Sequence, residues 1–196
     1  MSEIPRDAAR FFGEYVPAQL GRLKPSLAGA SSPGAVVFEV DGAGAWSLRL
    51  TAGVATVTSG ADADALVRIA LSAADFEPVV VAGAERFATD AEPTRQLMAA
   101  RVLTVDQERA RLLRDAPGTL ALKLASKAGE HRLTLTLGGA PTKVDAPDCE
   151  IACALEDLWS IQSGDKNAFE LLMDGKLRLT GKMELAMALA AALGSS

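Results

Sequence analysis

Stretches that alternate apolar with polar residues at period two lie between segments whose apolar residues recur at three and four. That pattern predicts an α+β chain. Residues 7–23 carry the first helical pattern, with Phe11, Phe12, Tyr15, Val16, Leu20 and Leu23 roughly on one side and Pro17 bending or dividing it. A loop rich in Ser, Gly and Pro follows at 24–34. Four strands come next, at 35–40, 45–50, 54–58 and 65–71, the first ending at the hairpin signal Asp41-Gly42. Ser72 caps a helix with Asp75 as its acidic partner; the helix carries Phe76, Val79 and Val80 and accepts Pro78 in its first turns. Residues 93–99 read as helical, 101–105 as a strand and 106–115 as a charged helix, before the break at Ala116-Pro117-Gly118.

The order then recurs. Strands are predicted at 119–124, 131–137 and, briefly, 142–144, and a further strand at 149–155 leads into a helix around Asp157-Leu158-Trp159. Val67 to Phe76 lies over Cys149 to Leu158, and Leu97 to Thr104 over Leu172 to Thr180 with one gap. Identity is low, and the case for an internal duplication rests on the matching order of elements. In the second copy Leu133, Leu135, Leu137, Leu177 and Leu179 are expected to face one way. Arg132, Thr134, Thr136, Lys176 and Arg178 are expected to face the other. This predicts a mainly antiparallel sheet with one solvated face and helices on the opposite one.

The last thirty residues hold the most pronounced pattern. Asn167 and Glu170 suit a helix start, and Phe169, Leu172 and Met173 lie at i, i+3 and i+4 on one apolar face. Asp174-Gly175 stops that helix, residues 176–180 alternate as a half-buried strand, and Thr180-Gly181 caps a final helix with Glu184 in its first turn. From Leu185 to Leu193 this helix has no polar residue, so most of its surface is expected to be covered, by the core or by an apolar ligand or partner. Met183 and Met187, at i and i+4, suit a surface that adapts to a variable shape, and also serve as ordinary core filler.

Gly175-Lys176-Leu177 and Gly181-Lys182-Met183-Glu184-Leu185-Ala186-Met187, placed after the strand–helix unit Cys149 to Trp159, resemble the sterol carrier protein type-two family of lipid-binding domains. The resemblance is carried mostly by Asp148 to Leu193, and residues 35–116 look like a divergent second version. It implies a five-stranded sheet covered by helices, with an apolar tunnel whose wall or lid includes the final helix. It also implies binding of sterols, fatty acids, acyl-CoA or phospholipids without chemistry on them. The expected organisation is an N-terminal helix and loop (1–34), a first, divergent sterol-carrier-like repeat (35–116) and a second, better-matching one (118–194). Each repeat would be a mainly antiparallel sheet with helices packed on one face. In the first copy Ala100 and Val105 stand where the second has Gly175 and Gly181, and its closing helix carries alternating charges. A ligand site is therefore expected in the second copy, at Phe169, Leu172, Met173, Leu177, Leu179, Met183, Leu185, Met187 and Leu189. The closing helix of the first copy could serve as the leading helix of the second, making the two one inseparable unit.

Composition narrows the function. The formal net charge of −5 over 196 residues comes with no basic patch, which argues against a nucleic-acid partner. No apolar run reaches the ~20 residues of a membrane span, and no signal or peroxisomal address is seen, so a cytoplasmic protein is expected. Cys149 and Cys153, ~13 Å apart along a strand at ~3.3 Å per residue, cannot bridge each other and are expected as buried thiols in a reducing compartment. His131, the single histidine, is expected on the polar side of its strand as a surface residue. Asp75 and Asp157 recur at equivalent helix starts, where an acid suits the helix dipole. With no catalytic set, metal ligands or cofactor motif, the expectation is a noncatalytic carrier of an apolar ligand. The alternatives are a structural or interaction module with a filled tunnel, and an accessory domain presenting a lipid or isoprenoid intermediate to partner enzymes. A second copy or an enzyme would meet the protein through the C-terminal helix.

Overall fold

The computed structural model describes residues 3–23, 31–88 and 105–193. The predicted helix at 93–99, the strand residues 101–104 and most of the loop at 24–34 lie outside them, as does the side chain of Leu23. The first helix, α1, runs through Ala8–Arg10, Phe11–Tyr15 and Val16–Leu23, with a wider π-type turn at Phe11–Tyr15. Pro17 has no N–H to donate to the preceding turn, and the irregular turn falls immediately before it. Asp7 caps α1 by accepting from Arg10 N at 2.9 Å.

Strands β1 (Ala35–Val40), β2 (Gly44–Thr51), β3 (Val54–Ser59) and β4 (Ala65–Leu71) follow, then helix α2, built from Ala73–Asp75, a π-type turn Phe76–Val81, and Ala82–Ala88. Ser72 caps α2 as expected: its Oγ accepts from Asp75 N at 3.1 Å and donates to Asp75 Oδ2 at 2.7 Å. Helix α3 (Gln107–Asp115) leads to β5 (Gly118–Ser126), β6 (Gly129–Leu137) and β7 (Cys149–Ala154). Helix α4 (Leu155–Gln162), helix α5 (Ala168–Met173), strand β8 (Arg178–Gly181) and helix α6 (Met183–Leu193) complete the described chain. The brief strand expected at 142–144 does not form. Those residues belong to an irregular crossover, with Lys143 N donating to Thr119 Oγ1 at 3.1 Å instead of to a neighbouring strand.

The eight described strands form one sheet, in the order β3-β2-β1-β4-β6-β5-β7-β8. This corrects the expectation of separate sheets: β4 pairs antiparallel with β6 over Val67–Leu137 to Leu71–Leu133, across the expected boundary near residue 117. The sheet is mixed. β1 runs parallel to β4 and β5 parallel to β7, while the other pairings are antiparallel. β1, β2 and β4 are arranged as β5, β6 and β7 are, with an antiparallel hairpin whose first strand also takes a parallel partner.

The register sorts side chains by face, because successive residues of a strand point to opposite sides. Phe38, Trp46, Ile69, Leu135, Leu120 and Cys149 are linked partner to partner, so an apolar row crosses one face from β2 to β7. The helices cover it. Phe12 of α1 stacks on Trp46 at 4.9 Å and meets Phe38 at 5.0 Å, and Phe11 meets Phe76 edge-on at 5.4 Å. Leu120, Leu124 and Leu137 are fully buried beneath this layer, each side chain worth ~1.5–3 kcal/mol against exposure.

The other face carries Arg68 paired with Glu39, and Lys123 with Glu150 at 2.9 Å. The division of Leu133, Leu135, Leu137 and Leu179 from Arg132, Thr134, Thr136 and Arg178 therefore holds, but that face is only partly solvated. Thr119, Thr134 and Thr136 are buried. The β6–β7 crossover folds over them: Thr136 Oγ1 donates to Thr142 Oγ1 at 3.0 Å, Thr119 Oγ1 to Pro141 O at 3.3 Å, and Arg132 to Val144 O. Alternation along one strand could not reveal a loop returning from further down the chain.

Candidate functional site

The expected wall begins at α5. Asn167 Oδ1 accepts from Phe169 N at 2.8 Å and sets the phase of the helix. That phase turns Leu171 inward, 4 % exposed, and leaves Phe169 67 % and Met173 73 % exposed, with Leu172 half-buried between. The three-residue apolar face expected from Phe169, Leu172 and Met173 is therefore not a buried face. Leu171, the true anchor, was hidden within a Leu-Leu pair whose periodicity fits either phase. Lys176 N and Leu177 N both donate to Leu171 O at 2.9 Å, closing the helix through Gly175 at φ +70°. Leu177 then drops into the core.

β8 is the edge strand beyond β7, and Leu179 is half-buried on its apolar face opposite Ile151. Gly181, at φ +98°, lies against the backbone of Asp148: a Cβ there would be 2.4 Å from the Asp148 carbonyl oxygen. That close approach lets Lys182 N donate to Asp148 O at 2.9 Å and fixes where α6 starts. The Asp148 side chain secures the same corner, accepting from Thr119 N at 3.1 Å, Lys143 Nζ at 3.0 Å and Lys182 Nζ at 3.1 Å. The Thr119 N–H, then the Lys143 and Lys182 ammonium groups, lower its carboxyl to about 2. No sequence signal marked Asp148 as an anchor, because its partners come from three separate segments.

In α6, Leu185 is buried over β5: a Cβ on Gly118 would be 2.7 Å from Leu185 Cδ1. Ala186 and Ala192 are buried and Leu189 is half-buried. The outer side is not covered by any described residue. Met183 is 55 % and Met187 63 % exposed, and Ala190 and Ala191 are exposed too. The cover expected over most of an all-apolar helix is therefore not supplied by the described part of the chain itself. Its small alanines allow close packing on one side only. Of the nine expected residues, Leu177 and Leu185 are core, Leu172, Leu179 and Leu189 lie at the margin, and Phe169, Met173, Met183 and Met187 form two exposed i, i+4 pairs. A groove of about 400 Å³ lies elsewhere, lined by Arg6, Ala73, Ala74, Glu77, Pro78, Val81, Ala82 and Glu85.

Cys149 and Cys153 are free and buried. Burial raises both thiols, Cys153 to about 11 with Asp157 adding to the effect, so neither is a nucleophile at neutral pH. No group of metal-binding side chains occurs among the described residues, and no described helix is long and apolar enough to cross a membrane.

His131 departs from its expectation. Counting back from Leu137, Leu135 and Leu133 puts it on the apolar face, opposite Leu124, and it is 8 % exposed. Its Nδ1 is 3.0 Å from Asp75 Oδ1 and its Nε2 2.9 Å from Ser126 Oγ. Asp157, the counterpart of Asp75 at the start of α4, instead accepts from Lys166 Nζ at 2.6 Å.

A mixed sheet with helices over one apolar face defines an α+β protein whose described C-terminal helix exposes methionine. The model of the SCP-2 sterol transfer family matches residues 98–194, just under half of the chain. Among solved structures, sterol carrier protein 2 like 2 from Aedes aegypti aligns at 22% identity over 57% of this chain and 97% of that chain, with a TM-score of 0.40. The palmitated form from the same organism aligns at 25% over 51% and 90%, with a TM-score of 0.41. Sterol carrier protein domain 2 of Helicoverpa armigera aligns at 19% over 54% and 91%, with a TM-score of 0.38. No curated protein matches the chain.

Proposed function

We propose that this protein binds and carries an apolar ligand, a sterol, fatty acyl chain or other lipid, without chemistry on it. The observation that carries this reading is the SCP-2 sterol transfer family match over residues 98–194. The ligand lies against Leu172, Leu179 and Leu189, with Leu177 and Leu185 behind them, and Phe169, Met173, Met183 and Met187 close over it. Flexible thioether side chains left in water support this placement, since they gain contacts only when something apolar covers them. A ligand burying ~300 Å² of apolar surface gains about 7 kcal/mol before the costs of association. The ring packing of the first half favours the second half as the carrier. Phe11, Phe12, Tyr15, Phe38, Trp46 and Phe76 pack ring to ring between its described helices and sheet.

The two halves are a divergent tandem repeat fused into one unit. The shared arrangement of β1, β2, β4 and β5, β6, β7 supports this, and so does a family match that takes in α3 ahead of the second half. Native mass spectrometry of the purified protein, followed by titration of delipidated protein with a fluorescent fatty acid, tests carriage. A co-purified lipid displaced by the probe is the expected result; delipidated protein that binds no fatty acyl or sterol probe refutes it. The close packing of Leu185 on Gly118 favours a second reading, a filled interaction module. In that case the protein binds no lipid and sediments as a dimer.

A further inference from the structure

The contacts of His131 form a directed chain. Asp75 Oδ1, at 3.0 Å, accepts from Nδ1–H, and in the neutral imidazole that tautomer turns the Nε2 lone pair toward Ser126 Oγ at 2.9 Å. The single Ser126 O–H has two acceptors in reach, the Gly129 carbonyl at 3.2 Å and, in the neutral ring, that lone pair at 2.9 Å, while Ala128 N–H donates to Oγ at 3.1 Å. Asp75 is held from behind by Ser72 Oγ on its second oxygen at 2.7 Å. The His131 side chain is 9 % and the Asp75 side chain 17 % exposed, so the pair is largely shielded. Ser126 is half-buried at the mouth of the exposed turn Lys127-Ala128-Gly129. Nucleophile, base and orienting carboxylate thus stand in sequence with the tautomer that general-base catalysis needs. Asp75 lies outside residues 98–194, so the arrangement exists only because β4 and β6 pair and bring α2 over the β5–β6 hairpin. None of the residues assigned to the lipid site takes part.

We infer that Ser126 is an activated nucleophile and that the protein hydrolyses short-chain carboxylic esters, with His131 as general base and Asp75 as its positioning residue. Ser126 Oγ attacks the ester carbonyl carbon as its proton passes to Nε2. The C–O bond of the ester breaks and the alcohol leaves with that proton. Water then adds to the acyl-serine by the same route, releasing the carboxylic acid and restoring the serine. Ser126 stands beside the exposed turn Lys127-Ala128-Gly129, where a small soluble ester reaches it from solvent.

The test uses the full chain, a fluorophosphonate probe and p-nitrophenyl acetate. Intact-mass and peptide mapping of wild-type protein are expected to place a single adduct on Ser126, with ester hydrolysis abolished by the label. Ser126→Ala removes both. Asp75→Asn, which preserves shape but favours the wrong tautomer, lowers kcat and the labelling rate by about 10²–10⁴-fold with KM unchanged. A circular-dichroism melt confirms that it folds. An unlabelled wild-type protein, an adduct on another serine, or an Asp75→Asn variant that folds and labels at the wild-type rate overturns the inference. Each of those results leaves Asp75–His131–Ser126 as a structural latch between α2 and the hairpin.

Discussion

Replacing Gly181 by alanine should be among the most damaging single-methyl changes in the C-terminal half. Two costs combine. At φ +98° an L-residue meets its own backbone, a cost of about 1–2 kcal/mol. The added Cβ would also lie 2.4 Å from the Asp148 carbonyl oxygen and 3.1 Å from Cys149 Cα. Both atoms are backbone, so relief requires moving β7 or β8, an overpacking cost of about 1–3 kcal/mol. The same displacement lengthens the Lys182 N to Asp148 O bond that starts α6. Together the loss is about 3 kcal/mol, or a fall of about 1.5 M in the urea midpoint for a slope near 2 kcal/mol/M. Gly175→Ala supplies the control. Its φ is +70° but a Cβ there meets nothing within 4 Å, so only the conformational cost remains, about 1 kcal/mol and about 0.5 M. Urea titrations of both variants, followed by circular dichroism, make the comparison. Equal midpoints would refute the argument that close approach to Asp148, rather than glycine's conformational freedom alone, is what position 181 requires.

Leu185→Ala should cost about 2–4 kcal/mol by leaving a cavity over Gly118, whereas Met187→Ser should change stability by less than about 0.5 kcal/mol and yet weaken binding of a fluorescent fatty acid; thermal melts and titrations of both variants separate the two roles. Asp148→Asn should destabilise by about 1 kcal/mol at neutral pH, since the lysines it pairs with are half-exposed and screened. Because the folded-state value of Asp148, about 2, lies below the ordinary carboxylate range, its contribution is present above about pH 4 and is lost as pH falls toward 2. The gap between wild type and variant in urea titrations should close over that window. Cys149 and Cys153 should resist iodoacetamide at pH 8 in the native protein and react promptly in denaturant, because burial raises both thiols; mass spectrometry counts the adducts.

The sequence by itself determined the local elements. Apolar runs bounded by turn and cap signals located β1 and β4 to the residue, and Ser72 and Asn167 were legible as caps because a cap acts on amides two or three positions away. The family resemblance of the closing stretch was legible for a related reason: its glycines mark turns, and turns are local. What decided the rest was contact between segments distant along the chain. The β4–β6 pairing fuses two expected sheets into one, and the crossover from β6 buries threonines whose alternation predicted exposure. Asp148 gathers Thr119, Lys143 and Lys182, and His131 meets Asp75 from 56 residues away. The exposure of Met183 and Met187 belongs here too. A stretch of Leu, Ala and Met fixes that a helix is apolar, but which side stays in water is set by what packs against it, and only the tertiary structure supplies that.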